Sequence, residues 1–491
     1  MTEETNPAST PSNTTPRDRP NIVMIVADQL RYDCTGYSGA GLVRTPNIDR
    51  IAGEGMAFEN AFTSIPVCCP ARQSLLTGRR AESFGALWNF GIALPVQSLR
   101  PSEFTWTQAL HDAGYRSAHF GKWHVSPEHL PRAYGFDDHV GLGDYAVFRS
   151  GLCSEATPEP DTDPNPPWSG GIDDVDLGHT RTHWLADRAR EFIVEQARGT
   201  RPFLISLEFN EPHLPYVPHE SFARRHRADE IPPWPSFAEA FEGKPYIQRQ
   251  QLYNWDVEEY SWREWAPIVA RYFAVIEQMD DAIGRVLAAL DETGLAQETI
   301  VVFTADHGDL CGAHRMVDKH YVMYDDVVRV PLAIRGPGVA HAHTVTDQFV
   351  TNMLDLGPTL LELAGIDCTA ELHGRSLVPL LAGRTPDDWP DAVVSSYNGQ
   401  QFGLYTQRMI RTRRWKYIWN PTDVDELYDL ENDPAELRNL IAHPGMAEVL
   451  ATMRLRLLDE LVRCGDGIVQ NDWLRNQLRS GRKLAPPAVA P

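Results

Sequence analysis

The run NIVMIVA, from Asn21 to Ala27, is apolar and rich in β-branched residues after its first position and stops at Asp28. A strand with one face in water alternates apolar and polar side chains, so an unbroken apolar run demands cover on both faces. The form recurs at 116–120 before Gly121-Lys122, at 202–209 before Glu211-Pro212-His213, and at 299–304 before Asp306-His307-Gly308. Helical patterns at 46–55, 105–113, 182–197, 267–290 and 353–363 alternate with these runs. The alternation predicts an α/β fold, a mixed sheet sandwiched by helices. In such sheets ligands gather outside the carboxyl ends of the strands, where each of these runs delivers a polar cluster.

A second texture begins at about 391. Short strand-like runs at 393–397, 409–412 and 415–419 precede a turn around Asn420-Pro421-Thr422-Asp423 and a helix over about 446–462. These predict a smaller C-terminal domain, an antiparallel sheet plus helix, over 391–478, after a main α/β domain over 20–390. The flanking segments 1–19 and 479–491 read as disordered tails, rich in Thr, Pro or Ala. Residues 157–171, crowded with Pro, Asp and Gly, read as a surface loop. Residues 215–265, crowded with aromatics, read either as the floor of a cleft or as a small satellite core.

Charge excludes some partners. With 45 basic against 67 acidic residues the net charge is −22, which opposes nonspecific binding to nucleic acid or to an anionic membrane. An anionic substrate would therefore need cations gathered locally. The first twenty residues lack the apolar core of an export signal, and no apolar run approaches the roughly 20 residues that span a bilayer. Seven scattered cysteines fit a reduced compartment better than a disulfide framework. The expectation is a cytoplasmic protein with no membrane and no nucleic-acid partner.

Asp28-Gln29, Asp306-His307 and Cys68 together supply oxygen and imidazole ligands for a hard divalent cation. Asp-His-Gly alone fits a helix cap or turn equally well; Asp28 at another strand end is what makes it a metal candidate. Asp280-Asp281, within the long helical pattern, reads as an exposed face rather than a paired acid and base. His341 and His343 read as a solvated strand face, Cys69 as structural, and Arg411, Arg413 and Arg414 as residues flanking a strand.

Cys68-Cys69-Pro70-Ala71-Arg72, followed by Leu75-Leu76-Thr77-Gly78-Arg79, fits CxPxR and LLTGR, with a helix opening after Pro70 and Leu75 and Leu76 turned inward. This run resembles the sulfatase signature. In that family a formylglycine-generating maturation enzyme reads the Cys, the Pro two residues on and the Arg four residues on, and oxidises the Cys to formylglycine. Further landmarks look like those of sulfatases and occur in the family's order. They are Arg19-Pro20-Asn21, Thr45-Pro46-Asn47-Ile48-Asp49, Gly121-Lys122-Trp123-His124, Pro212-His213-Leu214-Pro215, Thr304-Ala305-Asp306-His307-Gly308-Asp309, Lys319, Arg329-Val330-Pro331 and Glu426-Leu427-Tyr428-Asp429-Leu430-Glu431-Asn432-Asp433-Pro434. The resemblance spans 19 to about 440 and implies the fold of the alkaline phosphatase superfamily.

The resemblance also implies a chemistry. A hydrated aldehyde at position 68 would attack sulfur on a divalent metal held by Asp28, Gln29, Asp306, His307 and residue 68, and its second hydroxyl would then expel sulfate. Arg72 would orient the diol, and Lys122 and Lys319 would bind sulfate oxygens. His124 would act as base, His213 or Lys319 would protonate the leaving oxygen, and Asn89 would donate to the oxyanion. Many sulfatases carry two adjacent aspartates where this chain has Asp28-Gln29, so Ca2+ is the default and Mn2+ the alternative. The Asp-Gln form also resembles choline sulfatases and phosphonate monoester hydrolases.

The leading expectation is hydrolysis of a small sulfate ester, of a sulfated carbohydrate or of an aryl or alkyl alcohol. The first rival is phosphonate monoester or phosphodiester hydrolysis, against which Lys122-x-His124 argues, because that branch carries uncharged hydroxyl residues there. The second rival is a non-catalytic anion-binding homologue, which would have lost Cys68, Arg72 or the aspartates. The sequence sets no oligomeric state.

Overall fold

The computed structural model describes residues 19–91, 95–152, 166–340, 343–368, 370–401 and 403–483. The expected N-terminal tail up to 18, most of the 157–171 loop and His341 lie outside these residues.

An eight-stranded sheet forms the centre. Its strands in chain order are β1 (Asn21–Asp28), β2 (Met56–Phe62), β3 (Arg116–Gly121), β4 (Asp138–Gly141), β5 (Phe203–Pro212), β6 (Thr299–Ala305), β7 (Leu332–Arg335) and β8 (Thr344–Thr351). They lie in the order β4-β3-β5-β1-β6-β7-β2-β8. Only β7 runs against its neighbours; the other pairs are parallel. Strands β1 and β6 are buried along their whole length, as an apolar run without alternation requires.

Register places the polar strand ends together. Ala27 pairs with Ala305, so Asp28 and Asp306 emerge side by side, and Gly121 pairs with Glu208 on the next parallel pair. Lys122 N–H continues that pairing, donating to the Glu208 carbonyl at 2.8 Å. Because β2 points the same way as β1, the helix Cys68–Thr77 that follows it begins at the same edge of the sheet.

Among the described residues a second sheet, antiparallel, holds β9 (Ala392–Gln400), β10 (Gly403–Thr412), β11 (Trp415–Trp419) and β12 (Glu426–Asp429) in the order β12-β11-β10-β9. Strand alternation splits it cleanly. Tyr397, Tyr405, Met409, Ile418 and Tyr428 join the main core. Ile410, Tyr417, Trp419 and Leu427 face Met453, Leu457 and Leu461 of the helix Ala447–Arg463 in a second core. Each such side chain contributes about 1.5–3 kcal/mol by burial, so the small sheet is held against the main body through one of its faces.

Several readings shift. The long helix runs Trp262–Glu292, starting before the expected 267, because Ser261 and Glu264 form a capping box ahead of Pro267. Asp280 is buried rather than on an exposed face: it accepts from Asn47 N–H, Ile48 N–H and Asn47 Nδ2 and so anchors the start of the helix Pro46–Glu54. Asp281 bonds His183. Trp234, Phe241 and Trp265 from the aromatic insertion are core, joined to the main cluster rather than forming a satellite. The last helix, Asp472–Ser480, carries structure past 479, and Lys483 pairs with Asp425. No helix among the described residues is long and apolar enough to cross a membrane.

Gly121 links this fold to the strand-end cluster. It ends β3 at φ 107°, and a Cβ there would lie 2.0 Å from the Glu208 carbonyl oxygen. Gly121→Ala is expected to cost on the order of 3 kcal/mol of stability, read by chemical denaturation, through positive φ and backbone collision together.

Candidate active site

Cys68 is the first residue of a helix in which all ten residues are buried. Pro70 falls in its first turn, where a missing N–H costs nothing, so the helix opens two residues before the proline rather than after it. Gly78, at φ 63°, closes the other end. Trp106 Nε1 donates to Leu75 O at 2.6 Å, and Gln73 Nε2 donates to Val125 O at 2.7 Å, tying the helix to the segment that carries Lys122 and His124. Cys68 thus stands at the positive end of a helix fixed on all sides.

The thiol faces the ends of β1 and β6. Its Sγ lies 3.2 Å from His307 Nε2 and 3.7 Å from Asp28 Oδ1. His307 Nδ1 donates to Gly308 O at 2.9 Å, which leaves Nε2 turned toward Cys68. Ligand atoms of Asp28, Cys68, Asp306 and His307 all lie within 4.8 Å of one another. Two carboxylates and an imidazole nitrogen are a donor set that fits a hard divalent cation. Gln29, at φ 69°, is in the same place, but its Oε1 accepts from Lys319 Nζ at 2.9 Å and its Nε2 is buried without a partner among the described residues.

Arg72 sits behind this set. Its Nη2 lies 2.9 Å from Asp28 Oδ2 and its Nε 3.2 Å from Asp306 Oδ2, while Nη1 bonds Glu208 Oε2 and donates to Lys122 O at 3.1 Å. Four of its five N–H groups are engaged, three of them by carboxylates. Beyond the expected part in orienting a diol at position 68, the guanidinium holds the carboxylates, with one N–H outside these bonds.

Two lysines and two histidines stand on the other side of the thiol or approach it. Lys122 Nζ lies 2.7 Å from Asp28 Oδ2. Lys319 Nζ bonds Gln29, His213 Nε2 at 3.1 Å and Asp318 Oδ1 at 3.0 Å. His213 Nδ1 lies 2.6 Å from Leu214 O, so its Nε2 is the acceptor for Lys319. His124, at φ 46°, is close enough to favour the charged form of Cys68, and its Nδ1 is buried without a partner among the described residues.

These charges set the protonation pattern. Burial alone would raise the Cys68 thiol, but Lys319, Lys122 and His307 hold it well below the usual thiol range. Burial and the Cys68 charge push Asp28 up, yet Lys122, His213 and Arg72 keep it below the usual carboxylate range. Burial, then the Asp28 charge, raises Asp306 to about 7. Burial opposes the charged form of His307, but Asp306 and Cys68 bring it to about 9. Burial and the charge of Lys319 depress His213.

Asn89 has a structural part as well. Its Oδ1 accepts from Cys69 N–H at 2.8 Å, and its own N–H donates to Gln400 Oε1 of β9 at 3.1 Å. The side-chain oxygen braces the first turn of the Cys68 helix, and Nδ2 is the end of the amide that can donate. Sequence reasoning missed Glu208 and Asp318. A single acid in the apolar run of β5 was the available signal for Glu208; Asp318, beside Lys319, carried none.

Comparison with known proteins decides the family. The family model described as Sulfatase matches residues 20–366, and one described as N-sulphoglucosamine sulphohydrolase, C-terminal, matches 312–463. The chain belongs to the sulfatase family. An uncharacterized sulfatase of Escherichia coli is 30% identical, covering 96% of this chain and 92% of its own length. An arylsulfatase of Clostridium perfringens is 30% identical, covering 93% and 97%. The phosphonate monoester hydrolase of Agrobacterium radiobacter superposes with a TM-score of 0.77 at 25% identity, covering 91% of this chain and 95% of its own. This sulfatase is a sulfuric ester hydrolase with the alkaline phosphatase superfamily fold.

Arg72→Met would leave Asp28, Glu208 and Asp306 buried together without their shared cation. A loss of about 3–5 kcal/mol is expected, measured as a lowered denaturation midpoint, with Arg72→Lys restoring only part because an ammonium cannot span three carboxylates.

Proposed function

We propose that this sulfatase cleaves small sulfate monoesters at residue 68 in its formylglycine form, with a divalent cation held by Asp28, Gln29, Asp306 and His307. The observation that carries the reading is the position of the Cys68 thiol, with two carboxylates and an imidazole on one side and two lysines on the other. In the family the formylglycine hydrate supplies the attacking hydroxyl. A bound divalent cation neutralises sulfate oxygens and lowers the pKa of that hydroxyl. Ca2+ is the metal we favour, as the family default, with Mn2+ as the alternative for a site whose fourth ligand is a neutral amide.

The remaining work falls to the chain's own side chains. Lys122 and Lys319 bind the sulfate oxygens, whose charge shifts toward the leaving oxygen as the S–O bond breaks. Lys319 stays cationic, because burial is outweighed by Asp318, Cys68 and Asp28, so its part is electrostatic. His213 accepts a hydrogen bond from Lys319 at its Nε2, and we assign to His213, rather than to Lys319, the delivery of a proton to the leaving alcohol. His124 is the base beside Cys68 that takes the proton when sulfate is expelled. A lysine held charged, as Lys319 is, would be too weak an acid to protonate the leaving alcohol.

An aryl sulfate is the substrate to try first, since a relative at 30% identity is named an arylsulfatase. The superposition on a phosphonate monoester hydrolase supports a second reading, turnover of phosphonate monoesters by the same groups. The cationic Lys122 and the neighbouring His124 favour the sulfate ester, with its single negative charge spread over three oxygens.

With protein expressed beside a maturation enzyme, the peptide containing residue 68 should show the side chain CH2SH replaced by CHO in mass spectrometry. Cys68→Ala should lower kcat on 4-nitrophenyl sulfate by at least about 10³-fold, and unaltered turnover would remove residue 68 from the reaction. A chelator should abolish activity and added Ca2+ or Mn2+ restore it. A phenyl phosphonate monoester turned over faster than 4-nitrophenyl sulfate would favour the second reading.

A further inference from the structure

Lys319 arrives on a segment under unusual backbone constraint. Cys311, His314, Arg315, Asp318 and Tyr321 all adopt φ between 39° and 67°. Residues with a Cβ avoid this region; asparagine and aspartate tolerate it best, and glycine best of all. Glycine at 318 would satisfy the backbone at least cost. What aspartate adds there is a carboxylate.

That carboxylate is 3% exposed and both oxygens are engaged. Oδ1 accepts from Lys319 Nζ at 3.0 Å, and Oδ2 lies 3.1 Å from His320 Nε2. His320, also buried, has its Nδ1 3.4 Å from the Tyr397 hydroxyl on β9. Lys319 has three N–H groups, and all are taken, by Gln29 Oε1, His213 Nε2 and Asp318 Oδ1. A sulfate oxygen must replace one of these acceptors. The charge-assisted bond to Asp318 is the strongest, so Gln29 or His213 yields and Asp318 remains the pivot. A lysine ammonium on a four-carbon stem has no fixed direction of its own; this arrangement supplies one.

We propose that Asp318 and His320 are positioning residues of this sulfatase: Asp318 aims the Lys319 ammonium at the space beside Cys68, and His320, braced by Tyr397 of the C-terminal sheet, fixes the Asp318 carboxylate. The inference rests on Lys319 acting on the sulfate, as assigned above. Neither residue touches substrate, and both act through Lys319.

A double-mutant cycle on 4-nitrophenyl sulfate tests it. Asp318→Asn keeps the size and the tolerance of positive φ but removes the charge. It should lower kcat about 10- to 100-fold with KM within about threefold and calorimetric Ca2+ affinity at the wild-type value, while the unpaired Lys319 charge lowers the melting temperature. In a Lys319→Ala background the same substitution should cost less than about twofold, because its route to the substrate is gone. His320→Gln keeps one N–H for Asp318; it should show a smaller kcat loss that also vanishes with Lys319→Ala, and serves if Asp318→Asn fails to fold. Equal losses in both backgrounds, or no loss in the wild-type background, would overturn the positioning role alone. Lys319→Ala with wild-type kcat would overturn the Lys319 assignment and this proposal together.

Discussion

Three carboxylates from three adjacent strands, Asp28 of β1, Glu208 of β5 and Asp306 at the end of β6, converge in the interior, and one guanidinium holds them. Without Arg72, burial of three like charges would drive at least some of them neutral or apart. With it, Asp28 and Asp306 are held side by side, Asp28 below the usual carboxylate range and Asp306 raised toward neutrality by burial and by its neighbour, as a pair whose oxygens a divalent cation can use. Arg72 stands four residues along the helix from Cys68, so the contact that gathers the carboxylates also sets the rotation of the helix and the direction of the thiol. Position 68 and the metal-type donor set are therefore one construction.

The same pairing logic explains how an acidic protein builds a site for an anion. A net charge of −22 spread over the surface would repel a sulfate ester, and the local answer is a buried set of cations. Each is tethered by an acid: Lys122 by Asp28, Lys319 by Asp318, Arg72 by the strand-end carboxylates. The tethers keep the ammonium groups charged in a poorly solvated place, and they direct them.

Much of this was legible from residue order. Non-alternating apolar runs ending in polar clusters marked β1, β3, β5 and β6, and Cys68, Asp28, Asp306, His307, Lys122, His124, His213 and Lys319 do meet in one place. What escaped was set by partners distant in sequence. Glu208, inside the apolar run of β5, gained a role only when the register put it opposite Gly121. Asp280 looked like an exposed helical acid until the helix Pro46–Glu54 brought its free N–H groups against it. The second use of Asn89 also escaped: its oxygen satisfies the orphan N–H of Cys69 at the helix start. The reversal of β7 and the early start of the long helix likewise depended on pairing and capping that a hydrophobic pattern does not encode.

By itself the sequence determined the family, the fold class and which polar residues gather at the strand ends, because the cysteine run, strand-end acids and lysines in short local contexts carry their spacing with them. Only the tertiary structure decided how those groups divide the labour: that Arg72 holds three carboxylates, that Lys319 is fully bonded before a substrate arrives, and that the C-terminal sheet reaches the site through Tyr397 and Gln400. The physical reason is that hydrogen-bond and charge capacity is finite. Which donor meets which acceptor depends on every group packed into the same volume, and that inventory exists only once strands far apart in the chain lie side by side.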